Sequence, residues 1–181
     1  MMTVLSLCDL TGGWPKPYRD AGYDVISVDI QRGEDVRLMR VDDLPPIRGV
    51  LAAVPCTEFA VSGARWWSGK PPELLLDAVA VMDACLRIIS VLNPLWWALE
   101  NPTGRINRFI GPPAFSFDPC DFGDPYMKRT HLWGRFNHPA RRPCTPTEGS
   151  KMHKVPPGPH RQNIRSATPP GFARAFFEAN P

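Results

Sequence analysis

The sequence predicts an α/β fold built on an open, mostly parallel sheet, and two observations favour it. Short apolar runs of strand length alternate along the chain with segments whose apolar residues recur at helical spacing. The first four of these runs each stop next to a residue that carries chemistry: Asp9, Asp29, Cys56 and Glu100. Ligands bind at the carboxyl ends of the strands in such sheets, so a functional site is expected where these residues meet.

The N-terminal region predicts a βαβ unit. Its elements in chain order are the strand Val4–Cys8, a turn at residues 11–14, the helix Pro17–Ala21 and the strand Val25–Val28. Glycines in the turn allow the backbone to approach a ligand, and the acid after the second strand can hold ribose hydroxyls. The unit is therefore typical of a nucleotide-type site.

The remaining elements continue the alternation of strands and helices. The predicted strands are Val50–Val54, Leu95–Leu99, Ala114–Phe117 and Thr130–Trp133. The predicted helices are Glu73–Leu92, Thr103–Ile110 and Gly171–Ala179. The stretch Thr57–Trp67 contains Ser, Gly and two tryptophans and is interpreted as a mobile loop.

Two reactive side chains follow neighbouring predicted strands. Cys56 comes after Val50–Val54 and Pro55, and Glu100 comes directly after Leu95–Leu99. A thiol and a carboxyl presented at one sheet edge indicate nucleophilic attack assisted by proton transfer.

Composition narrows the class of protein. At 181 residues the chain is most simply one domain with a real core. Five cysteines form no CxxC pair, which favours reduced thiols over a disulfide framework or a metal site. No run of the sequence has the length of a membrane span, and the N-terminus lacks a signal-peptide pattern. A cytoplasmic protein is expected.

The formal net charge of +3 is unevenly distributed. The segment from Arg135 to Arg174 is rich in proline and holds one acid, Glu148. Such a segment could follow a phosphate backbone or could be a solvated basic loop. Its basic residues are Arg135, Arg141, Arg142, Lys151, Lys154, Arg161, Arg165 and Arg174, with His138, His153 and His160 among them.

These motifs, in this order from Leu5 to about Gly134, resemble the DNA cytosine carbon-5 methyltransferases, most closely the small phage-type members. Pro55-Cys56 resembles the Pro-Cys nucleophile motif of that family, and Glu100-Asn101 resembles its Glu-Asn-Val motif. Lys128–Gly134 resembles the arginine motif whose strand lines the cytosine pocket. The resemblance implies a Rossmann-like catalytic domain at 1–134 and a basic segment with a C-terminal helix at 135–181.

The resemblance implies S-adenosylmethionine as the cofactor. Asp29 would take the ribose hydroxyls, Asp35 would accept from the adenine amino group, and Ile30 and Val36 would flank the adenine. The turn after the first strand would lie near the methionine part. The implied cofactor-binding set is Asp9, Thr11, Gly12, Gly13, Trp14, Asp29, Ile30, Asp35, Val36 and Pro55.

The resemblance also assigns the catalytic roles. The Cys56 thiolate would add to carbon 6 of cytosine, and a protonated Glu100 would assist at ring nitrogen 3. Asn101 would hold the loops, and Arg129 would donate to the cytosine carbonyl oxygen. The target cytosine would be flipped out of the duplex or already single-stranded, with Thr57–Lys70 as the lid.

The short segment after Gly134 leaves no room for a separate target-recognition domain. A specificity partner or a homodimer could therefore supply the recognition of the target sequence. Protection of phage DNA in a restriction–modification setting is the implied role. Three alternatives stay open: methylation of cytosine in free nucleotides or single-stranded nucleic acid, amino-group methylation, and a catalytically decayed nucleic-acid-binding subunit. The Asn/Asp-Pro-Pro-aromatic motif of the amino-group enzymes is absent from the sequence.

Overall fold

The computed structural model describes residues 2–150, 155–159 and 161–181. The strands in this part of the chain are β1 (Thr3–Leu7), β2 (Asp24–Val28), β3 (Ile47–Ala53), β4 (Trp96–Pro102), β5 (Phe115–Phe117) and β6 (Thr130–Arg135). The helices are α1 (Lys16–Asp20), α2 (Pro72–Leu92), α3 (Asn107–Ile110), α4 (Arg161–Ser166) and α5 (Pro170–Ala179). No helix among the described residues is long and apolar enough to cross a membrane.

The six strands form one sheet in the order β2-β1-β3-β4-β6-β5. Strands β1 to β4 are parallel to one another, whereas β6 runs antiparallel to both β4 and β5. The predicted open, mostly parallel sheet is confirmed. The carboxyl ends of β1, β2, β3 and β4 therefore lie along one edge.

Helix α2 covers one face of the sheet because its apolar residues recur at helical spacing. Met82, Cys85 and Ile88 are buried against the core. Pro72 occupies the first helical position, where its missing N–H costs nothing. Asn93 ends the helix in the left-handed conformation, with φ of 42°.

The opposite face is covered by an aromatic layer from both ends of the chain. Trp14 and Tyr18 from the N-terminal region pack with Phe172 and Phe176 of α5 and with Phe117 of β5. The rings of Phe117 and Phe172 are stacked with centroids 3.9 Å apart. Alternation along the strands explains the two layers, since successive side chains point to opposite faces.

The helix predicted at Thr103–Ile110 is shorter in the structure, where only α3 is helical. The reason is tertiary: the Thr103 carbonyl accepts from the Val61 N–H, and the Arg105 N–H donates to the Phe59 carbonyl. Those backbone groups are used to join two loops and are not available to a helix.

Candidate active site

Cys56 and Glu100 lie at the ends of neighbouring parallel strands. Ala53 at the end of β3 is paired in register with Glu100 in β4, and Cys56 follows three residues after Ala53. Neighbouring strands are about 4.8 Å apart, so the two residues flank the same short stretch of the sheet edge. Asn101 is fully buried, and its side-chain amide donates to the Val54 carbonyl at 2.8 Å. This bond joins the segment leading to the thiol to the strand that carries the carboxyl.

The surroundings of the pair favour protonated forms of both groups. Burial raises the pKa of the Cys56 thiol, and the nearby Glu100 charge raises it further. Burial also raises the pKa of the Glu100 carboxyl. Lys128 opposes both effects, because its positive charge lowers the pKa of each group. The carboxyl can therefore donate a proton, and the cation can stabilise a thiolate.

The cation whose charge lowers the pKa of both groups is Lys128, whereas the sequence predicted that its neighbour Arg129 would contact the cytosine. The Arg129 guanidinium is mostly exposed and pairs with the Asp118 carboxylate at 3.1 Å. Lys128, in contrast, is half-buried and its backbone N–H donates to the Asp118 carboxylate at 3.0 Å. The predicted contact of Arg129 with the cytosine carbonyl oxygen stays a prediction.

Arg165, near the end of α4, is a second cation that sequence reasoning left unassigned. Its charge lowers the pKa of the Cys56 thiol, so it lies within electrostatic reach of the site. The following residues run past the first turn: the Thr168 carbonyl oxygen is 3.5 Å from where a side chain on Gly13 would begin. The sequence analysis placed Arg165 only among the basic residues that could follow a phosphate backbone.

The turn after β1 is shaped by Asp9. Its carboxylate accepts from the Thr11 hydroxyl at 2.7 Å, from the Gly12 N–H at 3.0 Å and from the Trp14 N–H at 3.2 Å. Gly12 has φ of +63°, and a Cβ there would lie 2.9 Å from Nη1 of Arg19. The Asp9 side chain is thus used to fold the turn.

Trp14 cannot place its side chain at this edge. The indole is fully buried in the aromatic layer, with its ring centroid 5.5 Å from that of Phe176 in an edge-on arrangement. The expectation that the turn lies near the methionine part of a cofactor can therefore involve Trp14 only through its backbone. Only the backbone of Trp14 lies in the turn.

Asp29 at the end of β2 keeps one carboxylate oxygen free. Oδ1 accepts from the Gln31 N–H at 2.8 Å and caps the turn Ile30–Arg32. No hydrogen bond from the described residues reaches Oδ2, so it can accept from a ligand hydroxyl. The Ile30 side chain is 63% exposed beside it and can cover one face of a flat ring.

Asp35 and Val36 fit their expected roles less well. Both carboxylate oxygens of Asp35 accept from Arg37, which lowers the pKa of Asp35, and Arg37 also pairs with Asp77 of α2. An adenine amino group would have to share this carboxylate with the guanidinium. Val36 is 4% exposed and packs in the core cluster under α2. Its side chain is a core residue, not an open face for adenine.

The loop predicted to be mobile after Cys56 is tied down in the structure. Its second half is a 3₁₀ segment, Val61–Gly69. Buried Glu58 pairs with Lys70 at 2.6 Å, and the Arg105 side chain donates to the Glu58 carbonyl at 2.7 Å. The sequence did not indicate these contacts, because the partners are distant in sequence and leave no local pattern.

A close backbone crossing joins this loop to the segment after Glu100. Gly104 bridges Ala60, and a Cβ on Gly104 would lie 1.9 Å from the Phe59 carbonyl oxygen. Any side chain there would force the loops apart. The two segments that follow the thiol and the carboxyl are thereby held as one unit.

Much of the described basic C-terminal segment is engaged within the fold. Arg135 donates to the Pro94 carbonyl, Arg141 pairs with Asp121, and Arg142 pairs with Glu178 at 3.2 Å. These contacts attach the segment to the sheet and to α5. The predicted phosphate contacts of Lys151, Lys154, His153 and His160 fall outside the described residues.

No protein-family model matches the sequence, and no curated protein sequence matches it. Among solved structures, the chain is similar to a predicted DNA modification methyltransferase encoded within an E. coli prophage, with a TM-score of 0.50 and 19% identity. The alignment covers 87% of this chain and 49% of the other, so this chain spans about half the length of that structure. The likeness shows the fold alone, a Rossmann-like α/β fold with a mostly parallel sheet.

Proposed function

We propose that this protein methylates carbon 5 of cytosine in DNA, with S-adenosylmethionine as methyl donor and Cys56 as the nucleophile. The observation that carries the proposal is the placement of a thiol and a carboxyl of raised pKa at adjacent strand ends, with Lys128 beside them. The resemblance of the Pro55-Cys56 and Glu100-Asn101 motifs supports the same reaction. The likeness in fold to a DNA modification methyltransferase supports methylation of DNA in general.

The donor set along β1 and β2 fits S-adenosylmethionine. The turn after β1 leaves Gly13 partly exposed at the sheet edge, and the free oxygen of Asp29 suits a ribose hydroxyl. Ile30 can cover the adenine on one side. When bound, S-adenosylmethionine supplies a methyl group that is electrophilic because it is attached to a sulfonium. Asp9 contributes by holding the turn in shape.

Carbon 5 of cytosine is a poor nucleophile, and the residues of this chain can change that. Cys56 loses its proton to solvent, and Sγ of the resulting thiolate forms a bond to carbon 6. The electron pair of the C5–C6 double bond moves towards ring nitrogen 3, which takes the proton of the Glu100 carboxyl. The ring then carries its electron density at carbon 5. Lys128 stabilises the thiolate before this step and the Glu100 carboxylate after it.

Release of the product reverses the addition. Once carbon 5 has taken the methyl group, its proton leaves to solvent, the bond between Sγ and carbon 6 breaks, and the electron pair returns to sulfur. Glu100 recovers its proton from ring nitrogen 3. Asn101 keeps the thiol and the carboxyl at a fixed separation throughout, since its amide joins β4 to the end of the Cys56 segment.

The cytosine must leave the base stack to reach this edge, because Cys56 and Glu100 are both set into the protein surface. A flipped or single-stranded cytosine satisfies this requirement. We propose modification of phage DNA in the cytoplasm of a host cell as the setting, in keeping with the prophage origin of the structural neighbour.

Nucleoside mass spectrometry tests the proposal. The purified protein and its Cys56→Ala variant would be incubated with S-adenosylmethionine and double-stranded DNA, single-stranded DNA or deoxycytidine monophosphate. New 5-methyldeoxycytidine with the wild-type protein, and none with the variant, is the expected result. Methylation at another atom, or a product that the variant also makes, would contradict the proposal.

A further inference from the structure

Two neighbouring tryptophans in the Val61–Gly69 segment have opposite environments. Trp67 is half-buried, and the Arg105 guanidinium covers its ring at 4.3 Å from the centroid. Trp66 is 52% exposed, and the Arg65 guanidinium lies over its ring at 3.8 Å. One indole therefore anchors the segment, whereas the other presents a flat aromatic surface backed by a cation.

The anchoring makes the exposed pair a firm platform. Glu58 pairs with Lys70 at the far end of the segment, and the Val61 N–H donates to the Thr103 carbonyl at its near end. Both attachments lead back to the residues that follow Cys56 and Glu100. The platform therefore stands on the same edge of the sheet as the thiol.

The charge of the segment favours a polyanionic partner. No acidic residue occurs between Glu58 and Glu73 in the sequence. Within the described part of the chain, no carboxylate forms an ion pair with Arg65. An exposed indole with an unpaired guanidinium suits a nucleobase, because the ring stacks on the base and the cation attracts the adjacent phosphate.

We propose that the Arg65–Trp66 pair is a stacking site for an unpaired base that neighbours the target cytosine. The choice of a nucleic acid as the partner rests on the proposed function, and the stacking itself rests on the exposure and geometry of the pair. A base seated here holds the substrate strand open while the cytosine occupies the edge beside Cys56. Trp66 is then a substrate-binding residue that takes no part in the chemical step.

Binding of fluorescein-labelled oligodeoxynucleotides to the full-length protein tests this site. Three proteins would be compared: wild type, Trp66→Ala, and Leu76→Ala, which removes an exposed apolar side chain of α2. The probes would be a 12-nucleotide single strand containing one cytosine, and the same strand with abasic positions on both sides of that cytosine. Trp66→Ala should weaken binding of the first probe about tenfold or more and leave binding of the abasic probe within about twofold. Leu76→Ala should change neither.

Other outcomes overturn the stacking site. Equal losses on both probes would mean that Trp66 supports the backbone contact or the fold, and unchanged binding of both would mean that it contacts no base. Failure of the wild-type protein to bind the first probe would also refute the site. Because the assay needs no turnover, its result is independent of whether 5-methyldeoxycytidine forms. If the exposed Trp66 surface binds another protein and not DNA, the proposed stacking site is also wrong.

Discussion

The two halves of the sheet edge use their polar side chains differently. At the ends of β1 and β2, Asp9 folds its own turn through three hydrogen bonds, and Asp29 caps the turn that follows it. At the ends of β3 and β4, the described residues make no side-chain hydrogen bond to the Cys56 thiol or to the Glu100 carboxyl. The first half is shaped in advance for binding, and the second half keeps its reactive atoms available.

The difference has an energetic basis. A carboxylate that accepts several N–H groups is stabilised in its charged form and holds the backbone rigidly. A buried carboxyl without such partners keeps its proton, and it destabilises the fold when it ionises. The binding half therefore adds stability, whereas the reactive half retains groups at a cost in stability. Variants in the binding half should therefore change stability and cofactor binding. Variants in the reactive half should change turnover and thiol reactivity.

The largest expected effect is on turnover when the proton donor is removed. Glu100→Gln keeps the shape of the side chain but cannot give a proton to ring nitrogen 3, so the rate should fall about 10²-fold or more. Binding of S-adenosylmethionine, measured by calorimetry, should be unchanged because Asp29 and the first turn are untouched. A rate within threefold of the wild-type rate would refute proton donation by Glu100.

Lys128→Met and Arg129→Met form a matched pair of variants in the reactive half. Lys128→Met removes the charge that lowers the pKa of Cys56, so the thiolate fraction at fixed pH should fall, and Cys56 alkylation by iodoacetamide should slow about tenfold. Arg129→Met removes only an exposed ion pair with Asp118 and should change the rate less than twofold. Peptide mass mapping would isolate Cys56 from the other cysteines. The opposite order of effects would restore Arg129 as the cation of the site.

Asp9→Asn and Asp29→Asn distinguish the residue that folds the turn from the residue that is proposed to contact the cofactor. Asp9→Asn should lower the free energy of unfolding by about 1–3 kcal/mol, because it weakens three acceptor bonds in the turn. Asp29→Asn should weaken S-adenosylmethionine binding with a smaller loss of stability, since only one N–H depends on it. Denaturant unfolding and calorimetry measure the two effects. Loss of stability without loss of binding at Asp29 would contradict its assignment to the ribose.

The smallest effect is a pH-dependent gain in stability from Glu100→Gln. The raised pKa of Glu100 means that the folded protein holds this proton more tightly than the unfolded chain does. Its contribution is complete below the unfolded pKa of about 4 and is lost as the pH rises through the folded pKa. The melting temperatures of variant and wild type should coincide near pH 4, and the variant should be more stable at pH 8. A difference in melting temperature between variant and wild type that stays constant with pH would contradict ionisation of Glu100 as its cause.

Local patterns in the sequence were sufficient to predict the strands and the long helix. The apolar run before Cys56 and the helical spacing in α2 are both contained within their own segments. Each pattern arises because the strand, or one face of the helix, is buried. The meeting of Cys56 and Glu100 at one edge also follows from strand order in a parallel sheet.

Features that depend on long-range contacts could not be predicted. The burial of Trp14 requires α5, more than 150 residues later, and the ordering of the Cys56 loop requires Arg105. The difference between Lys128 and Arg129 depends on the Asp118 carboxylate, which pairs with the Arg129 guanidinium, and no local pattern in the sequence indicates that pairing. At these positions, the expectations depended on the resemblance to family motifs.

Trapping with 5-fluorodeoxycytidine tests the central claim most directly, because fluorine at carbon 5 leaves no proton to lose and the bond between Sγ and carbon 6 cannot break. The protein would be incubated with S-adenosylmethionine and an oligonucleotide carrying this base, and the adduct would be mapped by peptide mass spectrometry. A covalent, methylated adduct at Cys56, absent from Cys56→Ala, is the predicted result. Methylation of unmodified cytosine without any trapped adduct, or an adduct at another cysteine, would contradict the account.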